Sequence, residues 1–169
     1  MSVSKPLFLR AALAVTAFVF IAVLVTAIDT RQSAPTFRAK TLDGEQFTNE
    51  SLKGKVVLLQ FWATWCQYCR RDQPAVDAIV HDFESRGLVV LAVNVGESKS
   101  KVKHYLRDSP RACRIVLTED TNLAALFAAH AYPLYVLIDR DGVIAGTQRG
   151  AAGEDALRRL LAKAGLNSE

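Results

Sequence analysis

The sequence predicts an α/β domain built in three layers around a central sheet. Two apolar runs that lack polar alternation, Val56–Trp62 and residues 88–95, are typical of strands covered on both faces. A helical pattern follows each run, at residues 66–86 and 100–107. The chain has 169 residues, which suffices for one ordinary domain and an appendage at its amino terminus.

The appendage contains an apolar stretch, residues 11–28, made only of Ala, Leu, Val, Ile, Phe and Thr. A helix of that length nearly spans the membrane hydrocarbon core, which is ~30 Å thick. A basic n-region (1–10) precedes it and a polar linker (29–35) follows. This pattern predicts a retained transmembrane anchor; the alternative is a signal peptide cleaved after residues 25–27. Either alternative places residues 36–169 outside the cytoplasm, where disulfides persist.

The first elements of the domain are a small hairpin and the first central strand. Residues 36–42 and 46–48 flank Asp43-Gly44, which is a turn signal. The helix that follows the strand begins at Cys66 and ends near Gly87, since glycine commonly ends a helix. The strand at 88–95 and the helix at 100–107 complete this part.

The last third of the chain alternates strands with helices and closes with a hairpin and an amphipathic helix. Its predicted elements are a short strand at 115–117, a helix at 122–129, strands at 134–138 and 143–147, and a helix at 154–164. Asp141-Gly142 supplies the turn between the last two strands.

Composition excludes several classes of protein. The chain has 21 Lys and Arg against 17 Asp and Glu, a formal net charge of +4 with both signs interspersed. It therefore offers no basic stripe for phosphates, and we expect no nucleic-acid partner. Its 3 cysteines are too few for a disulfide scaffold, so the question is what a pair of them does.

That pair is Cys66 and Cys69. Cysteines three residues apart on the first turn of a helix face the same way at a separation that a disulfide can bridge. Cys66 lies nearest the helix start, where free N–H groups and the helix dipole favour a thiolate, so we expect it to be the nucleophile. Cys69 would then attack the mixed disulfide and release the partner.

Other uses of the pair fit less well. Covalent haem attachment needs a His after the second cysteine, where this chain has Arg70. A structural zinc site needs four ligands, but Cys113, His81, His104 and His130 are scattered. A purely structural disulfide at this spacing closes too small a loop to stabilise much. Redox chemistry without a metal or organic cofactor is therefore expected.

The stretch from Leu52 to Cys69 resembles the thioredoxin-like thiol-disulfide oxidoreductases of the TlpA/ResA type, which include the cytochrome c maturation thioredoxins. Residues 93–98 and 133–142 resemble the same group, and the resemblance extends over about residues 36–165. It implies a thioredoxin-like α/β/α fold with a central mixed sheet and an N-terminal β-hairpin, preceded by one transmembrane helix.

The resemblance also implies partners and a location. The dithiol would receive electrons from a membrane thiol relay, on the periplasmic side of the cytoplasmic membrane. It would pass them to disulfides in exported proteins, with apocytochrome c as the favoured substrate.

Several further site residues come from the resemblance. Pro133 matches a cis-proline that faces the cysteine pair and presents the backbone of Tyr132 to an extended partner segment. Glu97 matches a family acidic residue at the end of the second central strand. Asp72 falls one helical turn after Cys69, where relatives often have Glu. Such a carboxyl group would shuttle the proton of Cys69 or hold its pKa up.

The alternative for Asp72 is a solvated charge beside Arg70 and Arg71. Trp65, next to the first cysteine, is expected to be a partly exposed contact for partners, whereas Trp62 is expected in the core. Cys113 is expected to be a bystander.

Other functions remain open at this point. A disulfide donor or isomerase would use the same chemistry, because C-x-x-C pairs range from about −270 to −120 mV. The residues between the cysteines, Gln67-Tyr68, lack the family's usual Pro, and His130-Ala131 precede Tyr132, so poise and partner are in question. A non-catalytic module that binds partners along the Tyr132-Pro133 edge is a different class. A peroxidase is disfavoured, because a peroxidatic cysteine needs no C-x-x-C.

Overall fold

A computed structural model describes residues 32–167. The predicted membrane segment, residues 11–28, lies outside the described residues and stays a prediction. Between residues 32 and 167, no helix has both the length and the apolar character needed to cross a bilayer.

Seven strands form one mixed sheet in the order β2-β1-β5-β4-β3-β6-β7. The strands are β1 (Arg38–Thr41), β2 (Gln46–Thr48), β3 (Val56–Trp62), β4 (Leu88–Asn94), β5 (Arg114–Thr121), β6 (Leu134–Ile138) and β7 (Ile144–Arg149). Strands β3, β4 and β5 are parallel, while β6 runs antiparallel to β3 and pairs with β7. The predicted amino-terminal hairpin is confirmed: β1 pairs antiparallel with β2 and joins the sheet through β5.

The helices are α1 (Gln67–Phe83), α2 (Lys99–Asp108), α3 (Leu123–Leu126) and α4 (Gly153–Ala162), with a 3-10 turn at Glu84–Arg86. Pro74 lies inside α1 without ending it. Each element except α3 and β5 lies close to its predicted range.

The core consists of one apolar layer on each face of the sheet. On the first face, strands β3 and β6 pack with residues of α1, α2 and α4, such as Ile79, Val102 and Leu157. On the second face, α3 and the amino-terminal hairpin supply the cover, including Phe47 and Leu123. All seven residues of β3 are buried, as the unbroken apolar run predicts.

Two elements differ from their predicted lengths for tertiary reasons. Helix α3 has 4 residues rather than the predicted 122–129, because the backbone turns at Ala128, where φ is 45°. Strand β5 has 8 residues rather than 115–117, because it pairs with β4 along one edge and with β1 along the other.

Candidate active site

A disulfide joins Cys66 and Cys69 at the start of α1, with Cα atoms 5.3 Å apart. Strand β3 ends at Trp62, and a short turn places Cys66 at the N-cap, where its Sγ accepts the N–H of Cys69 at 3.1 Å. The predicted pairing is therefore confirmed, and Cys66 lies where helical N–H groups point toward a sulfur that becomes negative.

The disulfide lies just below the surface beneath exposed aromatic side chains. Cys69 is fully buried and Cys66 is 4% exposed, whereas Trp65 is 62% exposed and Tyr68 is 55% exposed. Trp62 is fully buried, as expected for a core residue. A partner that reaches Cys66 therefore meets these two aromatic rings.

The loop before β6 contributes the cis peptide bond that the resemblance implies, between Tyr132 and Pro133. The Tyr132 ring meets the Trp65 ring edge to face, with centroids 6.0 Å apart. The Tyr132 hydroxyl donates to the carbonyl of Ala129 at 3.1 Å, which fixes the ring. Trp65 and Tyr132, both candidate contacts, therefore lie together.

Glu97 binds the turn that precedes the cysteines. Its carboxylate accepts the Thr64 N–H and hydroxyl, both at 2.6 Å, and the Asn94 amide at 2.8 Å, and pairs with Lys101 Nζ at 2.7 Å. Burial acts to raise the pKa of Glu97, but the hydrogen bonds from Lys101, Thr64 and Asn94 outweigh it and hold the pKa at about 2. A carboxylate this acidic stays ionised at neutral pH, which favours positioning of the turn over proton transfer.

Asp72 is buried behind Cys69. It is 2% exposed, so the alternative of a solvated charge beside Arg70 and Arg71 is wrong. Its carboxylate accepts the Ala152 N–H at 2.6 Å and the Gly153 N–H at 3.2 Å, both at the start of α4. Burial follows from these bonds, because a helix amino terminus offers free donors and a positive dipole to an anion.

The third donor to Asp72 is the Tyr135 hydroxyl, at 3.0 Å. Tyr135 is linked through Gln60 to Arg111, whose guanidinium lies 3.5 Å from the centroid of the Trp62 ring. Sequence reasoning missed these residues. The signal that was available is Gln60, a polar residue inside an otherwise apolar strand, since a buried amide requires partners.

Cys113 is buried and free, immediately before β5. Burial raises the pKa of its thiol to about 11, so it stays protonated and unreactive at neutral pH. Over the described part of the chain, no three His, Cys, Asp or Glu side chains converge as metal ligands would.

Comparisons with known proteins agree with this geometry. Residues 30–147 match the AhpC/TSA family. The chain is 33% identical over 132 residues to the thioredoxin-like protein YneN of Bacillus subtilis (strain 168), covering 77% of each. It is 31% identical over 155 residues to the thiol-disulfide oxidoreductase ResA of Geobacillus thermodenitrificans (strain NG80-2), covering 92% of this chain and 89% of that protein.

Among solved structures, a thiol:disulfide interchange protein of the thioredoxin family from Chlorobium tepidum TLS superposes with a TM-score of 0.71 at 27% identity. The superposition covers 82% of this chain and 99% of that one.

Proposed function

Because this chain belongs to the AhpC/TSA family and is a thiol-disulfide oxidoreductase with a thioredoxin-like fold, we propose that it reduces disulfides in proteins outside the cytoplasm. One observation carries the proposal: the Cys66–Cys69 disulfide lies at the start of α1, beside exposed Trp65. The arrangement offers one sulfur for attack, a second sulfur one turn deeper, and a surface for a protein partner.

The proposed reaction begins with the reduced dithiol. The Cys66 thiolate attacks one sulfur of the partner's disulfide, whose S–S bond breaks and whose other sulfur leaves as a thiolate. Cys69 then loses its proton and attacks Cys66 in the mixed disulfide, and the second partner sulfur leaves. The partner gains two electrons, and this chain returns to the Cys66–Cys69 disulfide. A dithiol donor reverses the cycle with the same balance.

Partner binding is assigned to Trp65, Tyr132 and Pro133. By the family resemblance, the backbone of this loop would pair with an extended partner segment, which adds to it as a strand does. Trp65 is largely exposed to solvent, and its ring packs against that of Tyr132. Aromatic rings that bury large areas at little entropic cost are suited to partners of varied sequence.

The two carboxylates are assigned different roles. Asp72 lies three residues after Cys69 on α1, where side chains are roughly 5–6 Å apart at Cβ. Its negative charge disfavours a thiolate at Cys69 and keeps that thiol quiet until the mixed disulfide forms. Glu97 acts through Thr64 by holding the turn that aims Cys66.

The proposal includes a location and partners. Residues 11–28 would anchor the chain in the cytoplasmic membrane, with the catalytic domain on the extracytoplasmic side. A membrane thiol relay would supply electrons, and apocytochrome c, whose cysteines must be reduced for haem attachment, would be a substrate.

The first experiment measures reduction of an oxidised peptide with the cysteine spacing of apocytochrome c by the full chain. We expect Cys66→Ser to abolish turnover and Cys69→Ser to accumulate a mixed disulfide through Cys66, seen as an intact-mass adduct. Cys113→Ser is the matched control and should retain wild-type turnover. Full activity in either active-site variant would refute the mechanism.

The direction of electron flow is tested separately by the reduction potential of the Cys66/Cys69 couple, equilibrated against thiol buffers. A value of about −230 to −270 mV supports a reductase. A value near about −120 mV would make the protein a disulfide donor and refute the reductase proposal while leaving the cysteine roles intact.

A further inference from the structure

The buried hydrogen bonds behind Cys69 continue well beyond Asp72. Arg111 Nη1 donates to Gln60 Oε1 at 3.2 Å, and Gln60 Nε2 donates to Tyr135 Oη at 3.3 Å. The Tyr135 hydroxyl donates to Asp72 Oδ2 at 3.0 Å. In this series of hydrogen bonds each group donates toward Asp72. The neutral side chains of Gln60 and Tyr135 therefore link the Arg111 cation to the Asp72 carboxylate.

Neighbouring residues enforce this direction. Gln60 and Tyr135 are fully buried, so their polar groups need partners inside the protein. Burial, and then the charge of Asp72, raise the pKa of Tyr135, so its hydroxyl keeps its proton and donates it to the carboxylate. Arg111 can only donate, which turns the oxygen of the Gln60 amide toward it and the NH₂ group toward Tyr135.

The series of hydrogen bonds from Arg111 to Asp72 crosses the layer between the sheet and α1. Gln60 shares its face of β3 with Leu58 and Trp62, which belong to the core cluster that α1 covers. Tyr135 lies opposite Gln60 on β6. The hydroxyl therefore approaches Asp72 from the sheet, while the start of α4 approaches the same carboxylate from the other side.

We propose that Tyr135 is a positioning residue for the exchange reaction, because its hydroxyl, oriented by Gln60 and Arg111, holds the Asp72 carboxylate in place one helical turn after Cys69. This inference rests on the role proposed above for Asp72. The residue acts through that carboxylate and does not touch the reacting sulfurs.

The consequence falls on the step in which Cys69 loses its proton. Without the hydroxyl, Asp72 keeps the two backbone donors of α4, and nothing from the sheet side holds its carboxylate in place. A carboxylate that moves away from Cys69 repels its thiolate less, so Cys69 ionises at lower pH and resolves the mixed disulfide at lower pH.

Other charged groups lie on the elements around Asp72. Arg111 lies behind Gln60 on the sheet side. On the solvent side, Arg70 and Arg71 belong to α1, and Glu154 and Asp155 belong to the first turn of α4. None of these is altered by removing the Tyr135 hydroxyl, so a shifted profile reports the altered hydrogen bond.

The experiment measures the rate of mixed-disulfide resolution against pH in the full chain carrying Tyr135→Phe, which keeps the buried ring and removes the hydroxyl. We expect the profile to move to lower pH, part of the way to that of Asp72→Asn, with the rate below its midpoint rising roughly 2- to 10-fold. Tyr105→Phe is the matched control, because its ring packs on Trp62 with centroids 5.7 Å apart but its hydroxyl is outside the network. Its profile should equal the wild type.

A double variant separates positioning from a general loss of stability. If Tyr135 acts through Asp72, then Asp72→Asn/Tyr135→Phe has the profile of Asp72→Asn alone, whereas independent effects would add. Gln60→Leu, which removes the link to Arg111, should shift the profile in the same direction by a smaller amount.

The outcomes distinguish this inference from the role of Asp72. A shift in Asp72→Asn with none in Tyr135→Phe, or with additive effects in the double variant, overturns the inference and leaves the role of Asp72 standing. No shift in either single variant overturns both, while exchange through Cys66 and Cys69 is judged by the cysteine variants.

Discussion

The two carboxylates beside the cysteine pair are bound by opposite strategies. Glu97, on the loop after β4, pairs with a cation, because Lys101 in the first turn of α2 reaches its carboxylate. Asp72, on α1, meets neutral donors within the described residues 32–167, two from the backbone of α4 and one from Tyr135. Glu97 also accepts hydrogen bonds from Thr64 and Asn94, so it has a cation in addition to neutral donors, whereas the hold on Asp72 depends on each of its neutral donors. The position of the Asp72 carboxylate therefore depends on the Tyr135 hydroxyl and on the backbone of α4.

The largest effect is expected from removing the Asp72 carboxylate, which accepts hydrogen bonds from neutral donors. Asp72→Ala leaves the buried Tyr135 hydroxyl and two partly buried N–H groups at the start of α4 without their acceptor, and we expect it to lower the free energy of unfolding by about 2–4 kcal/mol. Urea titration of the full oxidised chain measures the loss. Asp155→Ala, at an exposed position on the same helix end, is the control and should cost less than about 1 kcal/mol. Equal losses in the two variants would show that burial of Asp72 contributes nothing.

The second effect concerns Glu97 and depends on pH. The pKa of Glu97 falls from 4.5 to about 2 on folding, so the ionised side chain stabilises the fold at neutral pH by roughly 2–3 kcal/mol. Because folding lowers the pKa of Glu97, this stabilisation is fully present at pH values above the pKa of the unfolded state. It is lost as the pH falls from about 4.5 toward about 2.

The measurement compares wild type with Glu97→Gln by urea titration across that pH range. The two stabilities should differ most at neutral pH and converge as the pH falls. A difference that stays constant with pH would mean that the carboxylate charge is not what holds Thr64.

The contrast also explains what the sequence could predict. The cysteine pair and the central strands are encoded locally, by a motif or by a nearly continuous apolar run, and the structure confirms them. The cis bond before Pro133 is implied by the family resemblance, since proline alone favours trans, and the structure has it. Asp72 is encoded at the right place, one turn after Cys69, but its partners Ala152 and Gly153 follow it by 80 and 81 residues. No local pattern predicts that meeting, so a charge that looks solvated in the sequence is buried in the fold.

The same limit applies to the turn before the cysteines. Glu97 matches an acidic residue of the family that the sequence resembles. Its contact with Thr64 spans 33 residues, however, and forms only because β3 and β4 are parallel and end side by side. Arg111 has no sequence signal at all, since it becomes a network residue only where it meets Gln60 across 51 residues. Motifs therefore predict which groups react, whereas topology decides which groups hold them.

The smallest effect is expected from a variant that removes the cation beside Glu97 and leaves the neutral donors of Glu97 in place. Lys101 is 56% exposed, so its pairing with Glu97 is screened by solvent, and Lys101→Met should lower stability by only about 0.2–1 kcal/mol. The carboxylate keeps Thr64 and Asn94, so exchange activity should stay at the wild-type level. If Lys101→Met instead lost as much stability as Glu97→Gln, the cation would dominate that site. Since one exposed ion pair contributes little while several aligned donors contribute much, the neutral donors should account for most of the hold on both carboxylates.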